Sequence, residues 1–244
     1  MRCHLGWLES VYFHREIVRI VVEQQLKPLL IGSVPGEVEA LWMRMYVLTR
    51  WYGRKGAAMS AIGASIPHSG ICAGKAADLP IHKLLRATRD AAPAYASSLL
   101  WQDDVDELSR EAERRVATGF RRMKMRLGHS WRYDREAIAA VRRGRAGKAE
   151  PMVDGSMRYS EDQAARLGRV LAENEVLWFE EPFAPEDVDR YVELRRRLAV
   201  PIAAGENEFG VQGFRSCCAR AHSTSSRRTP PAAAASAKCC AWAV

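Results

Sequence analysis

The stretch from residue 123 to residue 207 decides the fold, because it holds four short apolar runs that end in charged residues: M-K-M-R-L-G (123–128), M-V-D-G-S (152–156), W-F-E-E-P (178–182) and A-A-G-E-N (203–207). Each run contains one charged residue of this series: Lys124, Asp154, Glu180 and Glu206. These residues are separated by 30, 26 and 26 positions along the chain. An amphipathic segment fills each interval. A helix, two loops and a strand need about that many residues, since a crossover between parallel strands takes at least about a dozen. The spacing therefore predicts strands that alternate with helices, as in a (β/α) barrel.

Three of these charged residues are carboxylates that would stand on consecutive strand ends. In a (β/α) barrel, the chemistry takes place at the C-terminal ends of the strands, so Asp154, Glu180 and Glu206 would face one point. Three hard oxygen ligands at one point predict a Mg²⁺ site. Spacing alone does not choose between Glu180 and Glu181, because side chains alternate between the two faces of a strand and only one of the pair would point inward.

Outward from this stretch, the same pattern predicts five strands, at 94–101, 120–127, 151–154, 176–180 and 201–205. The segments between the strands have helical spacing, and Ser160 is predicted to cap the third of these helices. A closed barrel of this type has eight strands, so the sequence predicts an incomplete TIM-type (β/α) barrel within an α/β fold. The first 92 residues precede this pattern and have helical spacing of their own.

Composition and charge narrow the class of protein. No apolar run reaches the ~18 residues of a membrane span, and the N-terminus lacks the features of a signal peptide, so we expect no membrane and a cytoplasmic protein. The net charge is +8, but half of it comes from residues 216–244, which contain four basic residues and no acidic one: Arg220, Arg227, Arg228 and Lys238. This uneven distribution argues against a basic surface for nucleic acid.

Two passages do not fit the pattern of the rest of the chain. Residues 65–72 would interrupt a helix with Pro67 and Gly70, and residues 216–244 show no period and predict an irregular tail. Five of the six cysteines fall in these passages. With codons chosen to fit, a shift of one nucleotide turns both passages into regular helix and strand patterns. We therefore hypothesise frameshifts, one compensated near 65–72 and one uncorrected after Arg215, which the nucleotide sequence would test.

Taken together, K-M-R at 124–126, V-D at 153–154, E-E-P at 180–182 and G-E-N at 205–207 resemble the motifs of the enolase superfamily. The similarity is to its mandelate racemase/muconate lactonizing enzyme-like group, which includes the acid-sugar dehydratases, and it covers about residues 6–215. A-G-K-A-A-D-L-P-I-H-K-L-L also looks like the family's link into its barrel. The resemblance implies three segments: a partial α+β N-terminal capping domain (1–92), a truncated barrel that carries the metal site (93–215) and an irregular, apparently frameshifted tail (216–244).

The resemblance also implies a site and a reaction. Asp154, Glu180 and Glu206 would bind Mg²⁺, and the catalytic pair Lys124 and Arg126 would act beside them on a small-molecule carboxylate, an acid sugar. Removal of the α-proton would give an enediolate that the metal stabilises, and elimination of water would follow. Racemisation or epimerisation is the alternative reaction, and a non-catalytic fragment is the alternative of another class. Intact relatives are expected to form homo-oligomers.

This sequence departs from the family pattern at two places. Arg126 stands where many members have the lysine base, and arginine keeps its proton, so Arg126 fits a charge clamp better than a second base. This favours dehydration over racemisation, which needs two bases. The family's Asp/His pair on strands six and seven has no counterpart among the residues that fit the pattern. The sequence therefore predicts that the 244-residue chain is inactive.

Overall fold

The computed structural model describes residues 15–222, which divide into two compact units. One unit takes in the residues up to Ala92 together with Phe209–Val211, and the other takes in Pro93–Glu208 and the residues from Gln212 onward. Among the helices of residues 15–222, none combines the length and the apolar character that a membrane crossing requires.

The described part of the first unit is helical. Its helices are α1 (Arg15–Val21), which continues through a π-helical turn (Val22–Leu26) into α2 (Lys27–Leu30), and α3 (Val38–Thr49), α4 (Ala57–Ala77) and α5 (Ile81–Leu84). Apolar residues three and four positions apart bring one face of each longer helix into a small core, as Leu41 and Met45 do on α3. Leu26 and Ile62 are fully buried in the same core. That this unit acts as a cap stays a prediction.

Helix α4 runs without a break through residues 65–72, so the predicted interruption is wrong. Pro67 lies inside the helix, although proline lacks the amide hydrogen and costs about 3 kcal/mol at such a position. The buried face of α4, which includes Ala61, Ile62, Ser65 and Ser69, offsets this cost through packing. The Ser65 hydroxyl donates to the Ala61 carbonyl at 2.8 Å, so this buried polar group has a partner. The frameshift hypothesis itself stays a prediction.

The second unit alternates strands with helices, as predicted. In chain order its elements are β1 (Ala96–Leu99), α6 (Asp106–Ala117), β2 (Arg122–Arg126), α7 (Trp131–Arg145), β3 (Glu150–Asp154), α8 (Glu161–Glu173), β4 (Phe179–Glu180), α9 (Val188–Arg197) and β5 (Ile202–Ala203). All neighbouring strands pair in parallel, in the order β1-β2-β3-β4-β5. These five strands confirm an incomplete barrel-type sheet with a helix after each of its first four strands.

A further helix, α10 (Gly210–His222), extends past residue 215. The sequence predicted an irregular tail from residue 216, and for residues 216–222 that prediction is wrong. A helix needs no strict apolar period when its residues have adequate helix propensity, and alanine, arginine and cysteine in this segment are tolerated there. The rest of the predicted tail, residues 223–244, lies outside the described residues.

Local sequence signals set the helix starts and the spacing of the helices in the second unit. Ser160 and Gln163 form a capping box at the start of α8, which confirms the predicted cap.

At the contact between α6 and α7, Gly144 lies so close to Ser109 that an added Cβ would stand 2.1 Å from the Ser109 carbonyl oxygen. Only glycine allows this approach, so the two helices meet through their backbones.

Asp134, on the first turn of α7, fastens the loops that follow β2 and β3. Its side chain is 1% exposed and accepts hydrogen bonds from the backbone N–H of Gly128 (3.0 Å), the backbone N–H of His129 (3.3 Å) and the Tyr159 hydroxyl (2.6 Å). Burial, and then the hydrogen bond to Asp134, raises the pKa of Tyr159, which keeps the hydroxyl protonated as a donor. One carboxylate therefore holds two loops on the edge of the sheet where the strands end.

Replacing Asp134 by alanine should lower the free energy of unfolding by about 3 kcal/mol, because three donors would lose a charged acceptor in a buried place. Urea denaturation followed by far-UV circular dichroism measures the change. Glu136→Ala is the matched control on the same helix, where an exposed pair with Arg132 is lost and the expected change is under about 0.5 kcal/mol. Equal stability of the two variants would contradict the anchoring role of Asp134.

Candidate active site at the strand ends

The parallel register brings the ends of three strands together. Arg126, the last residue of β2, is paired with Asp154, the last residue of β3, and Asp154 is paired with Glu180, the last residue of β4. All three residues stand at the carboxyl ends of their strands, which in (β/α) barrels is the face that carries the chemistry. Asp154 and Glu180 are 3% and 4% exposed. The fold thus places two buried carboxylates side by side.

Lys124 supplies the positive charge that these two carboxylates need. Its Nζ lies 2.8 Å from Glu180 Oε1 and 3.3 Å from Asp154 Oδ2, and its side chain is 5% exposed. A buried carboxylate without a partner is costly, so the contact with the lysine amine offsets part of the cost of burying both. Trp178 adds a hydrogen bond, from its indole N–H to Glu180 Oε2, at 3.3 Å.

Arg126 pairs with the same carboxylate oxygen of Asp154 that Lys124 contacts. Its Nη2 lies 3.1 Å from Asp154 Oδ2, and its side chain is 41% exposed, so the guanidinium reaches toward solvent. Together with Lys124 and Asp154, it lines a small cleft closed by Ser97 and Leu100. Burial would raise the pKa of Asp154, but the charge of Lys124, the backbone N–H of Ser156 and the Arg126 guanidinium outweigh it, so the pKa lies below its usual value.

Glu206 is not brought into the same cluster. Strand β5 ends at Ala203, so strand pairing does not fix the position of a residue three places further on. The Glu206 side chain is exposed. Across residues 15–222, no group of three His, Cys, Asp or Glu side chains is placed to hold a metal ion. The structure therefore joins Asp154 and Glu180 with Lys124 and Arg126, and the role of Glu206 stays a prediction.

Glu181 is buried at the same strand ends, with different partners from Glu180. Its carboxylate, 2% exposed, accepts the backbone N–H groups of Gly205 and Glu206 at 2.9 Å each. Burial is the main cause that raises the pKa of Glu181 above its usual value. The spacing does not choose which of Glu180 and Glu181 points inward. The signal that could have found this contact is the glycine of G-E-N, which marks a turn with amide groups to satisfy.

Buried carboxylates and a lysine at the carboxyl ends of parallel strands are the arrangement of a (β/α)-barrel enzyme's catalytic face. Comparison with known proteins agrees with this class. The sequence model of the family described as "Enolase C-terminal domain-like" matches residues 107–223. Among curated proteins, the 3,6-anhydro-alpha-L-galactonate cycloisomerase of Streptomyces coelicolor is 31% identical over 204 residues, which are 83% of this chain and 56% of that protein. The arabinonate dehydratase of Saccharolobus solfataricus is 30% identical over 84% of this chain and 56% of its own length.

Solved structures give the same result. A racemase from Streptomyces coelicolor A3(2) with bound magnesium has a TM-score of 0.81 at 29% identity, over 86% of this chain and 59% of that one. The 3,6-anhydro-D-galactonate cycloisomerase from Zobellia galactanivorans has a TM-score of 0.79 at 30% identity, with the same coverage. The chain belongs to the enolase superfamily, in its mandelate racemase/muconate lactonizing enzyme-like group. It spans little more than half the length of the relatives that it matches.

Replacing Lys124 by methionine should lower the free energy of unfolding by about 3–5 kcal/mol in a buffer that contains EDTA, because buried Glu180 would lose its ion pair with the lysine and buried Asp154 would keep only the one with Arg126. Urea denaturation measures the change. Arg122→Met is the matched control on the same strand, where the pair with Glu150 is exposed and the loss should stay below about 1 kcal/mol. If Lys124→Met were as stable as Arg122→Met, the lysine would not be the counter-ion of the cluster.

Proposed function

We propose that this chain carries the Mg²⁺-binding and proton-abstracting part of an enzyme that dehydrates acid sugars. The observation that supports the proposal most is the cluster at the strand ends, where Asp154 and Glu180 lie side by side around the Lys124 amine. The matched relatives act on related compounds, since their names include dehydratases of arabinonate, L-talarate/galactarate and L-rhamnonate.

The donor set at the strand ends fits Mg²⁺ in its chemistry. Mg²⁺ prefers hard oxygen ligands and is commonly held by one or two carboxylates together with water and substrate. Asp154 and Glu180 offer two adjacent buried carboxylates, and Glu206 is the third proposed ligand on the segment after β5. When bound, the ion would stabilise negative charge that develops on the substrate carboxylate.

Lys124 is the proposed base. Its amine contacts both carboxylates, and its side chain, which is 5% exposed, lines the small cleft together with Asp154 and Arg126. A lysine acts as a base only as the neutral amine, and in that form it would accept the proton on the carbon next to the substrate carboxylate. A positioned side chain that transfers a proton contributes typically about 10²–10⁴-fold to the rate.

Arg126 is the proposed clamp for the substrate's carboxylate. Its guanidinium is anchored on Asp154 at 3.1 Å and still reaches solvent, so it can pair with an incoming anion. Because arginine keeps its proton, Arg126 does not supply a second base, and this favours dehydration over racemisation. The cytoplasmic location and a homo-oligomeric state for the intact protein are parts of the same proposal.

Mg²⁺ should bind the purified chain with one site, and Glu180→Gln should weaken the binding at least about tenfold, because a charged ligand is replaced by a neutral amide. Isothermal titration calorimetry measures both affinities. Glu150→Gln, at the exposed start of the neighbouring strand β3, is the control and should bind Mg²⁺ as the unchanged chain does. Unaltered affinity of Glu180→Gln would remove Glu180 from the proposed metal ligands.

The 244-residue chain alone should not turn over arabinonate in the presence of Mg²⁺, because racemases and dehydratases of this type need an acid or base on the substrate face opposite the lysine. Loss of substrate and formation of a keto acid product are followed by ¹H NMR over long incubations. Any turnover that Lys124→Met abolishes would overturn the predicted inactivity, while it would support the proposed role of Lys124.

A further inference from the structure

We propose that Glu181 is a positioning residue, which sets the place of the Glu206 segment relative to Asp154 and Glu180. The inference rests on the proposed function, because it gives Glu206 a role at the metal site. It concerns a residue that is not itself one of the proposed ligands. Its support comes from the hydrogen bonds by which Glu181 joins the ends of three neighbouring strands.

The side chain of Glu181 holds the segment after β5. Its Oε1 accepts both the Gly205 N–H and the Glu206 N–H at 2.9 Å, and its Oε2 lies 3.5 Å from the Asn207 side-chain amide. Hydrogen bonds from two successive backbone amides to one carboxylate oxygen fix the path of the backbone at that point. This contact therefore fixes the position of the Glu206 Cα, from which the side chain extends.

The backbone of Glu181 joins the strands on both sides. Its N–H donates to the Ala203 carbonyl of β5 at 2.9 Å, and its carbonyl accepts the Met157 N–H, in the loop after β3, at 2.7 Å. Glu181 directly follows β4. It is therefore hydrogen-bonded both to the loop after Asp154 and to the loop that carries Glu206.

The conformation of Glu181 costs free energy, which the surrounding contacts must offset. Its φ is 39°, in the left-handed region that favours glycine, where other residues are strained by about 1–3 kcal/mol. The carboxylate is also almost fully buried. A glycine at position 181 would remove the backbone strain, and an apolar residue would remove the cost of burying a carboxylate. Neither could accept hydrogen bonds from the two amide groups.

Two conservative variants distinguish the effect of the length of the Glu181 side chain from the effect of its charge. Glu181→Gln keeps the length of the side chain and an oxygen that can accept the two amides, while Glu181→Asp keeps the charge but is one methylene shorter and cannot reach them. Glu186→Gln, an exposed glutamate in the loop after β4, is the control. Each variant is first checked for an unchanged far-UV circular dichroism spectrum.

The first measurement, hydrogen exchange of the Gly205 and Glu206 amides by NMR, needs no metal. In Glu181→Asp, both amides should exchange about tenfold faster or more, because they lose their acceptor. Glu181→Gln and Glu186→Gln should stay within about threefold of the unchanged chain. Unchanged exchange in Glu181→Asp would overturn the inference, whatever the metal does.

The second measurement, the Mg²⁺ dissociation constant from calorimetry, tests the consequence for the site. Residues that orient metal ligands typically change the affinity about 10–100-fold when they are replaced. Glu181→Asp should therefore weaken Mg²⁺ binding by at least about tenfold, and Glu181→Gln should weaken it much less. If Glu181→Gln weakens binding more than Glu181→Asp does, the charge of Glu181 is what acts, and its role in positioning is overturned.

The two measurements together distinguish failure of this inference from failure of the proposed function. An unchanged chain that binds no Mg²⁺ would refute the proposed function, and faster exchange in Glu181→Asp would then still establish that Glu181 places the loop. An unchanged chain that binds Mg²⁺, with Glu181→Asp binding equally well, would keep the proposed function and refute the positioning role.

Discussion

Two carboxylates buried side by side repel each other, and only a cation between them makes their burial tolerable. In this chain that cation is the Lys124 ammonium, in contact with both Glu180 and Asp154. The parallel register is what makes this contact possible, since it sets the ends of β2, β3 and β4 next to each other. The helices between the strands allow each strand to run parallel to the one before it. The fold therefore brings together the charged residues that stabilise each other at the site.

Around this cluster, two buried carboxylates hold the loops at the strand ends by accepting hydrogen bonds from them. Asp134 accepts amide and hydroxyl hydrogens from the loops after β2 and β3, and Glu181 accepts amide hydrogens from the loop after β5. Loops at strand ends have few backbone partners of their own, so a buried carboxylate that collects several N–H groups gives them a defined path. At this edge of the sheet, Glu180 contacts the lysine, Asp134 and Glu181 accept backbone N–H groups, and Asp154 does both.

The sequence predicted the regular features well, because those depend on short-range patterns. All five strands were placed correctly, although β4 and β5 are only two residues long in the structure, and the capping serine of α8 could be identified from its spacing. Where tertiary packing overrides local preference, prediction failed, as in α4, which runs through Pro67. The resemblance implies that Lys124 acts beside the carboxylates, but its direct ion pairs with both depend on contacts 30 and 56 residues apart along the chain, so those pairs were not predicted. Neither was the separation of Glu206 from that pair, since nothing in the spacing says where a strand stops.

The contact between Gly144 and Ser109 has a consequence for how freely this sequence can change. Since the α7 backbone lies against the α6 backbone there, any side chain larger than hydrogen at position 144 would push α6 and α7 apart. These two helices are the connections on either side of β2, the strand that carries the lysine. A larger residue at position 144 would therefore change the spacing of the two helices on either side of that strand.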